Sequence, residues 1–436
     1  MEEMTTAINA RDYSRRRRQL MRMAGEDAIL VLPAAPVRIR SRNTHYSYRQ
    51  DSDFWYLSGF PEPEAVLVLV PGRRDGESLL FCREHDPKRN IWEGHRAGPK
   101  EAVDVYGVDA AFPLSELHNI FPGLLKEHPR IFYHFGRDIE FDLSITGWIN
   151  RSQAKARIEL FELDHILHEL RLFKDSSEIL QMRRAARISA EAHIEAMRAT
   201  YPGAFEHEIE AVLQYVFRKH GAESAYPPIV GGGKNACILH YVNNDAPLRA
   251  NDLLLVDAGA ELEGYATDIT RCFPVSGRYS PEQRAIYALV LEAQHAALAE
   301  ARPGRSWHAL HDAAVVVLTE GFLRLGLLKG TLQENIKSRA YKRFYMHKTG
   351  HWIGLDVHDV GEYFVDGEFR KLESGMVLTI EPGVYIAPGS KDVAERWHGI
   401  GVRIEDNVAI TTDGHDVLTE DTPRSIDQVE ALLAAR

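Results

Sequence analysis

Hydrophobic and polar positions follow two rhythms along this chain. Apolar runs at Ala28–Leu32, Ala65–Val70 and Ile131–His134, the first two bounded by Pro and Gly, predict buried strands. Arg11–Ala24 predicts a helix. From about Ile158 the pattern turns helical, through DHILHELRLF, and stops near Lys174. The segment DSSE from Asp175 to Glu178 then has the form of a capping box, and helical periodicity continues to about Ala199. One helix stopping where the next is capped sets the expected domain boundary, giving residues 1–174 and 175–436. The first part reads as a small mixed α/β domain.

The second part carries a weak internal repeat. Tyr201-Pro-Gly203 precedes a helical pattern, and so does Arg302-Pro-Gly304. Leu253 to Gly259 (LLLVDAG) matches Val377 to Gly383 (VLTIEPG) in character: an apolar strand, a carboxylate, one residue, then glycine. Two similar α/β halves would bring two acid-tipped strand ends near one pseudo-twofold axis. An apolar strand ending in an acidic turn is also common without function. A second capping box, Ser280 to Gln283 with Pro281 at the first helical position, opens a helix to about Ala301 and reads as structural.

Composition narrows the class. The 436 residues are 44% hydrophobic and 26% charged, which suits an ordered globular chain with a large core. Lys and Arg total 52 against 63 Asp and Glu, so the net charge of -11 argues against nucleic acid as the main partner. The run Arg15–Arg18 is the local exception and is expected on the solvated face of the N-terminal helix. Three scattered cysteines, Cys82, Cys237 and Cys272, give neither a disulfide framework nor a CxxC metal site and fit a reducing compartment. Met1–Ala10 has no apolar leader, and the longest apolar stretches fall far short of the ~20 residues of a membrane helix. A soluble, cytoplasmic protein is expected, with no membrane partner.

The 20 histidines prompt a search for clusters. His347, His351 and His358 fall within twelve residues of a Gly-punctuated segment, MHKTGHWIGLDVHD. The i,i+4 spacing of His347 and His351 would share a helix face, although Gly350 and Gly354 also allow a strand or loop. Asp257 and Asp268 flank Glu261–Gly264, a plausible four-residue hairpin loop. If the flanking segments pair across it, the two Asp side chains sit directly opposite, about 4.5–5.5 Å apart at Cβ. Two like charges that close call for a cation between them; a slipped register would separate them. Glu381 ends its strand, and Arg403 and Glu405, two apart, would share a strand face.

Four carboxylates with several histidines suit Mn²⁺, with Co²⁺ or Zn²⁺ possible. Four acids exceed the need of one catalytic ion, whereas two ions about 3.5–4 Å apart could share bridging carboxylates and hold a hydroxide. The segment GGGKN from Gly231 to Asn235 lacks the spacing and the Ser/Thr of a P-loop, and no dinucleotide fingerprint is present.

These segments resemble the pita-bread metallopeptidases, and among them most closely the aminopeptidase P (Xaa-Pro aminopeptidase) family. The likeness is carried by ILHYVNND (238–245), LLLVDAG (253–259), GYATDITR (264–271), MHKTGHWIGLDVHDVG (346–361), VLTIEPGVYIAP (377–388) and GIGVRIED (399–406), and by YRQDSDFWYLSGFPEPEAVLVLV (48–70) in the first domain. The resemblance implies a mixed α/β N-terminal domain followed by a pseudo-twofold pita-bread catalytic domain. It implies that Asp257 chelates one metal, that Asp268 and Glu405 bridge two, and that His351 and Glu381 complete the second, with Glu381 managing protons. His240 and His358 would flank the scissile bond. His347 would line the proline subsite, Tyr226 would be a substrate-pocket tyrosine, and Tyr385 and Arg403 would hold ligands in place. Trp92 would reach a neighbouring subunit's pocket in a homotetramer. In one departure, Asn43 stands where the family has an acid that helps close a partner's site.

The implied reaction releases the first residue from peptides with proline second. An X-Pro bond has no N–H to donate, so a peptidase acting on it must do without that hydrogen bond. Prolidase, which cleaves X-Pro dipeptides, is the nearest alternative, and a metal-free peptide-binding module with this fold is the remote one.

Overall fold

In the computed structural model, which describes residues 8–152, 154 and 157–435, the apolar runs of the first half are strands of one six-stranded sheet. Across the sheet the order is Ala110–Pro113, Ser78–Cys82, Val66–Leu69, Ala28–Pro33, Arg130–Tyr133 and Glu159–Glu162. Ala28–Pro33 runs antiparallel to Val66–Leu69 and parallel to Arg130–Tyr133. A mixed sheet covered on both faces explains why its inner strands read as unbroken apolar runs rather than alternating ones. One face packs on Phe121, Ile145 and Trp148.

Two expectations are corrected in this unit. Residues 159–162 form the edge strand rather than the start of a helix, with Phe161 stacked on Phe132 at 5.0 Å, and the helix is confined to Asp164–Leu172. The run Arg15–Arg18 is not simply a solvated face, since Arg16 and Arg17 are each only 2% exposed. Arg16 donates to the Tyr56 carbonyl and lies over the Tyr56 ring, and Arg17 donates to the carbonyls of Leu57 and Gly107. The C-terminal carbonyls of the short helix Ser52–Ser58 have no partners within that helix, and the two guanidinium groups supply them. Asn43 is exposed, in the turn between the short strands Ile39–Ser41 and Thr44–His45.

The chain divides into two units, one ending at Arg171 and the other beginning at Leu172. In the second unit both predicted capping boxes are present, at Asp175/Glu178 and Ser280/Gln283. The internal repeat is structural. Ser176–Ala199 and Glu206–Lys219 form one helix pair, and Pro281–Glu300 and Trp307–Arg324 form the other. The two connections make equivalent backbone bonds. Gly203 N donates to Leu248 O and Glu206 N to Ala246 O; Gly304 N donates to Leu372 O and Trp307 N to Arg370 O. Leu248 and Leu372 each lie five residues before their strands, Leu253–Asp257 and Val377–Ile380. Each of these strands pairs antiparallel with a later one, Thr270–Pro274 and Asp406–Ile410 respectively. Repeated connectivity of this kind makes the two halves a pseudo-twofold pair and puts both acid-bearing strand ends on one cavity.

Candidate metal centre

Asp257 ends a strand whose five residues are all buried, so its carboxylate is delivered to the cavity by a rigid element. The predicted register with Asp268 is corrected by two residues: Asp257 pairs with Thr270, and Glu261 pairs with Ala266. The hairpin turn is Glu263-Gly264, both at positive φ, rather than a four-residue loop. A shift of two preserves the face, because side chains alternate with a period of two. Asp257 and Asp268 therefore still converge, and the Tyr226 hydroxyl lies within hydrogen-bond distance of one oxygen of each. Gly259, opposite Asp268, is required by close approach: a Cβ there would sit 1.7 Å from the Thr267 carbonyl oxygen.

The second half of the site comes from three segments. Residues 346–351 are not helical. The stretch around His351 lies along the strand Val377–Ile380, with Thr379 N donating to His351 O and Glu381 N to Thr349 O. A side chain at position 350 would meet the Thr379 carbonyl oxygen at 2.0 Å, so only glycine allows that approach. His351 Nδ1 lies 2.9 Å from the Trp352 carbonyl, which accepts only; this fixes the proton on Nδ1 and leaves Nε2 facing Asp268 (3.4 Å) and Glu381 (3.7 Å). Glu405 joins them where the strand Ile400–Arg403 passes into Asp406–Ile410, and Thr270 Oγ1 donates to it at 2.5 Å. One ligand atom each from Asp268, His351 and Glu405 lies within 4.8 Å of the others.

Asp257, Asp268, His351, Glu381 and Glu405 line one cavity of about 590 Å³, together with His240, His347, His358 and Arg403. Leu239, Trp307, Tyr363 and Phe369 supply its apolar wall. Three predicted residues lie elsewhere. Tyr226 stands behind the two Asp carboxylates. Tyr385 is only 3% exposed, its hydroxyl accepting from Arg403 Nη1 at 3.0 Å and lying 2.9 Å from His347 Nε2. Trp92 is 87% exposed on the first unit's helix Pro87–Glu93.

The electrostatics of the cluster are those of a cation site. Burial, with repulsion from Asp268, outweighs Arg403 and pushes Asp257 up to about 6. Burial and the neighbouring acids push Glu381 up to about 7 and hold Glu405 well above the usual carboxylate range. Burial disfavours a proton on His351, but the bond to Asp268 and the charge of Glu381 prevail and raise it to about 9. Burial likewise opposes ionisation of Asp268, yet His351 holds it below its ordinary value. Four buried acids thus share Arg403 and one histidine proton. A divalent ion at His351 Nε2 would displace that proton and supply the missing positive charge, so the donor set fits a metal.

Besides Arg403, two residues to which sequence reasoning assigned no role hold these donors. Asn407 is fully buried and grips the Asp268 backbone from both sides, accepting its N–H at 3.0 Å and donating to its carbonyl at 2.7 Å. Arg271 pairs with Asp406 at 2.7 Å with both side chains fully buried, and donates to the Glu405 carbonyl at 2.6 Å. Arg271 stands in the GYATDITR segment and Asp406 directly follows Glu405, but nothing in the sequence joins positions 135 residues apart.

Residues 180–412 match the model of metallopeptidase family M24, and residues 13–133 match the aminopeptidase P N-terminal domain. Over 98% of both chains, the protein is 41% identical to Xaa-Pro aminopeptidase of Escherichia coli. The chain belongs to metallopeptidase family M24. Its fold is that of M24 proteins of known structure. Aminopeptidase PepP of Pseudomonas aeruginosa superimposes with a TM-score of 0.97 at 52% identity, covering 99% of each chain. A zinc-substituted form of E. coli aminopeptidase P in complex with product gives 0.94 at 41% identity, covering 98% of this chain and 99% of that one. A mixed α/β N-terminal domain precedes the pita-bread domain, matching the aminopeptidase P structures. Among the described residues no helix is long and apolar enough to cross a membrane.

Proposed function

We propose that this chain is a dimetal Xaa-Pro aminopeptidase, releasing the first residue of peptides with proline second. The observation that carries this reading is the convergence of four acids and one histidine on a single cavity with an apolar wall. The full-length likeness to Xaa-Pro aminopeptidases supports it over a dipeptide-only prolidase. Retention of all five donors weighs against a metal-free binding module.

In this reading Asp257 would hold one ion, Asp268 and Glu405 would serve both, and His351 and Glu381 would complete the second. Bound divalent ions would supply Lewis acidity, lowering the pKa of water and polarising the scissile carbonyl. The chain's own residues do the rest. The Glu381 carboxylate, next to where the attacking water would sit, would take and return its proton. His240 and His358, on the cavity wall, donate to the carbonyl oxygen of the cleaved bond. Burial, with the charge of Arg403 nearby, holds His347 down at about 3, so it stays neutral and suits an apolar proline ring. Arg403, bonded to Asp257, Tyr385 and Thr270, keeps Asp257 oriented. A bond without an N–H is handled because no residue of the site has to accept one.

The carboxylate-rich donor set favours Mn²⁺, with Co²⁺ or Zn²⁺ next. We further infer a homotetramer in which Trp92 contributes to a neighbouring subunit's pocket; the exposure of Trp92 (87%) and of Ile91 beside it (83%) supports this. A reducing, cytoplasmic setting agrees with three free cysteines.

The test is mass spectrometry of products from Mn²⁺-loaded protein given an X-Pro dipeptide and a matched X-Pro-Y-Z tetrapeptide together. Loss of only X from the tetrapeptide supports the proposal. Cleavage of the dipeptide alone would make the protein a prolidase, and cleavage of neither with metal bound would make it a binding module.

A further inference from the structure

A second cavity in the catalytic unit, about 840 Å³, shares no lining residue with the metal centre. Four cations line it, Lys234, Arg249, Arg278 and Arg396, against one acid, Asp252. Among the described residues none of the four side chains makes an ion pair or a side-chain hydrogen bond; Arg396 only stacks on the Trp397 ring, at 5.3 Å. In a chain with a net charge of -11, acids to pair with cations are plentiful, so four cations that share one acid, Asp252 near Arg249, around one concavity call for an explanation.

One further feature has the same sign. Ser280 and Gln283, which line the cavity, open the 20-residue helix Pro281–Glu300, whose N-terminal end carries partial positive charge.

We propose that this cavity binds a small anion carrying more than one phosphate group. Its volume is that of a small-molecule site, and its concavity suits a diffusible ligand better than a flat protein surface. Two or more phosphates would engage the cations on different sides. The loop Gly231–Asn235, which lacks the P-loop pattern, contributes Lys234 as a point charge rather than a backbone cradle. Gly232 N is already bonded to Glu206.

The test is calorimetric titration of the metal-loaded protein with inorganic pyrophosphate at physiological salt. The comparison is a Lys234→Ala/Arg396→Ala double variant; both side chains are exposed, so the fold is retained. The expected result is saturable binding to the wild type, weakened at least about tenfold in the variant, as loss of two phosphate contacts requires. Peptidase turnover without pyrophosphate should be the same in both. Equal heats in both proteins, as chelation of the active-site metal would give, overturn the proposal. So does absence of saturable binding below about 1 mM. Capture by vesicles of anionic phospholipid without binding of pyrophosphate would mean a membrane surface instead, and would also overturn it.

Discussion

Replacing Glu381 by Gln should stabilise the metal-free protein while disabling the metal-loaded one. Glu381 has no strong partner of its own: Thr379 Oγ1 lies 3.5 Å away, His351 3.7 Å and His347 3.9 Å. Burial and the neighbouring acids raise it from 4.5 to about 7. A carboxyl raised in the folded state binds its proton more tightly there than in the unfolded chain. Its contribution to stability is therefore intact at low pH and is lost as pH rises from the unfolded value through about 7. A difference of about 2.5 units corresponds to ~3 kcal/mol at about pH 8 and to less than ~1 kcal/mol near pH 5. Gln keeps the shape and removes the charge. For a unit of this size ~3 kcal/mol is roughly 6 °C in Tm. Calorimetry of chelator-treated wild type and variant at both pH values reads this directly. With Mn²⁺ added, loss of the proposed proton carrier should lower kcat about 10²–10⁴-fold. Equal Tm values at the higher pH, or the same gain at both, would refute the reasoning, since either means that Glu381 carries no buried charge.

Three other outcomes are expected, two from the geometry and one from the proposed assembly. Asp268→Ala should abolish peptidase activity while circular dichroism remains that of the folded protein; wild-type turnover with added Mn²⁺ would remove Asp268 from the metal site. Lys174 and Asp359 form an ion pair 2.8 Å apart with each side chain 1% exposed. Lys174→Met should therefore cost ~3–5 kcal/mol by leaving Asp359 charged and buried, read as a lowered Tm, and a Tm within about 1 °C of wild type would contradict it. Trp92→Ala should raise KM in the assembled oligomer, and an equal effect in a dilute, demonstrably monomeric form would exclude a role in a neighbour's pocket.

Much of the fold was legible because its signals are local. A capping box such as Asp175 to Glu178 satisfies donors three residues away, so four letters are enough to find it. The inner strands of the first unit are buried on both faces and read as apolar runs. The helix–Pro-Gly–helix and acid-tipped strand of each half recur because each half solves the same packing problem. The donors were legible through local context too, each acid or histidine standing in a distinctive segment.

What could not be read depends on partners distant in sequence. The solvated face expected for Arg15–Arg18 failed because periodicity cannot show that the carbonyls of Tyr56, Leu57 and Gly107 need donors. The strand Glu159–Glu162 was missed because an edge strand is defined by its neighbour, and its own exposed pattern is weak.

The sequence by itself singled out the acids and histidines that line the cavity, and showed that two acid-bearing strands repeat. Tertiary structure alone decided that Asp257 faces Thr270 while Asp268 still shares its face, and that Arg271 and Asn407 hold Glu405 and Asp268 from more than a hundred residues away. It also decided the charge state of the cluster. Ionisation in a buried site depends on solvent exclusion and on the distance to other charges, and both exist only once the chain has closed around them.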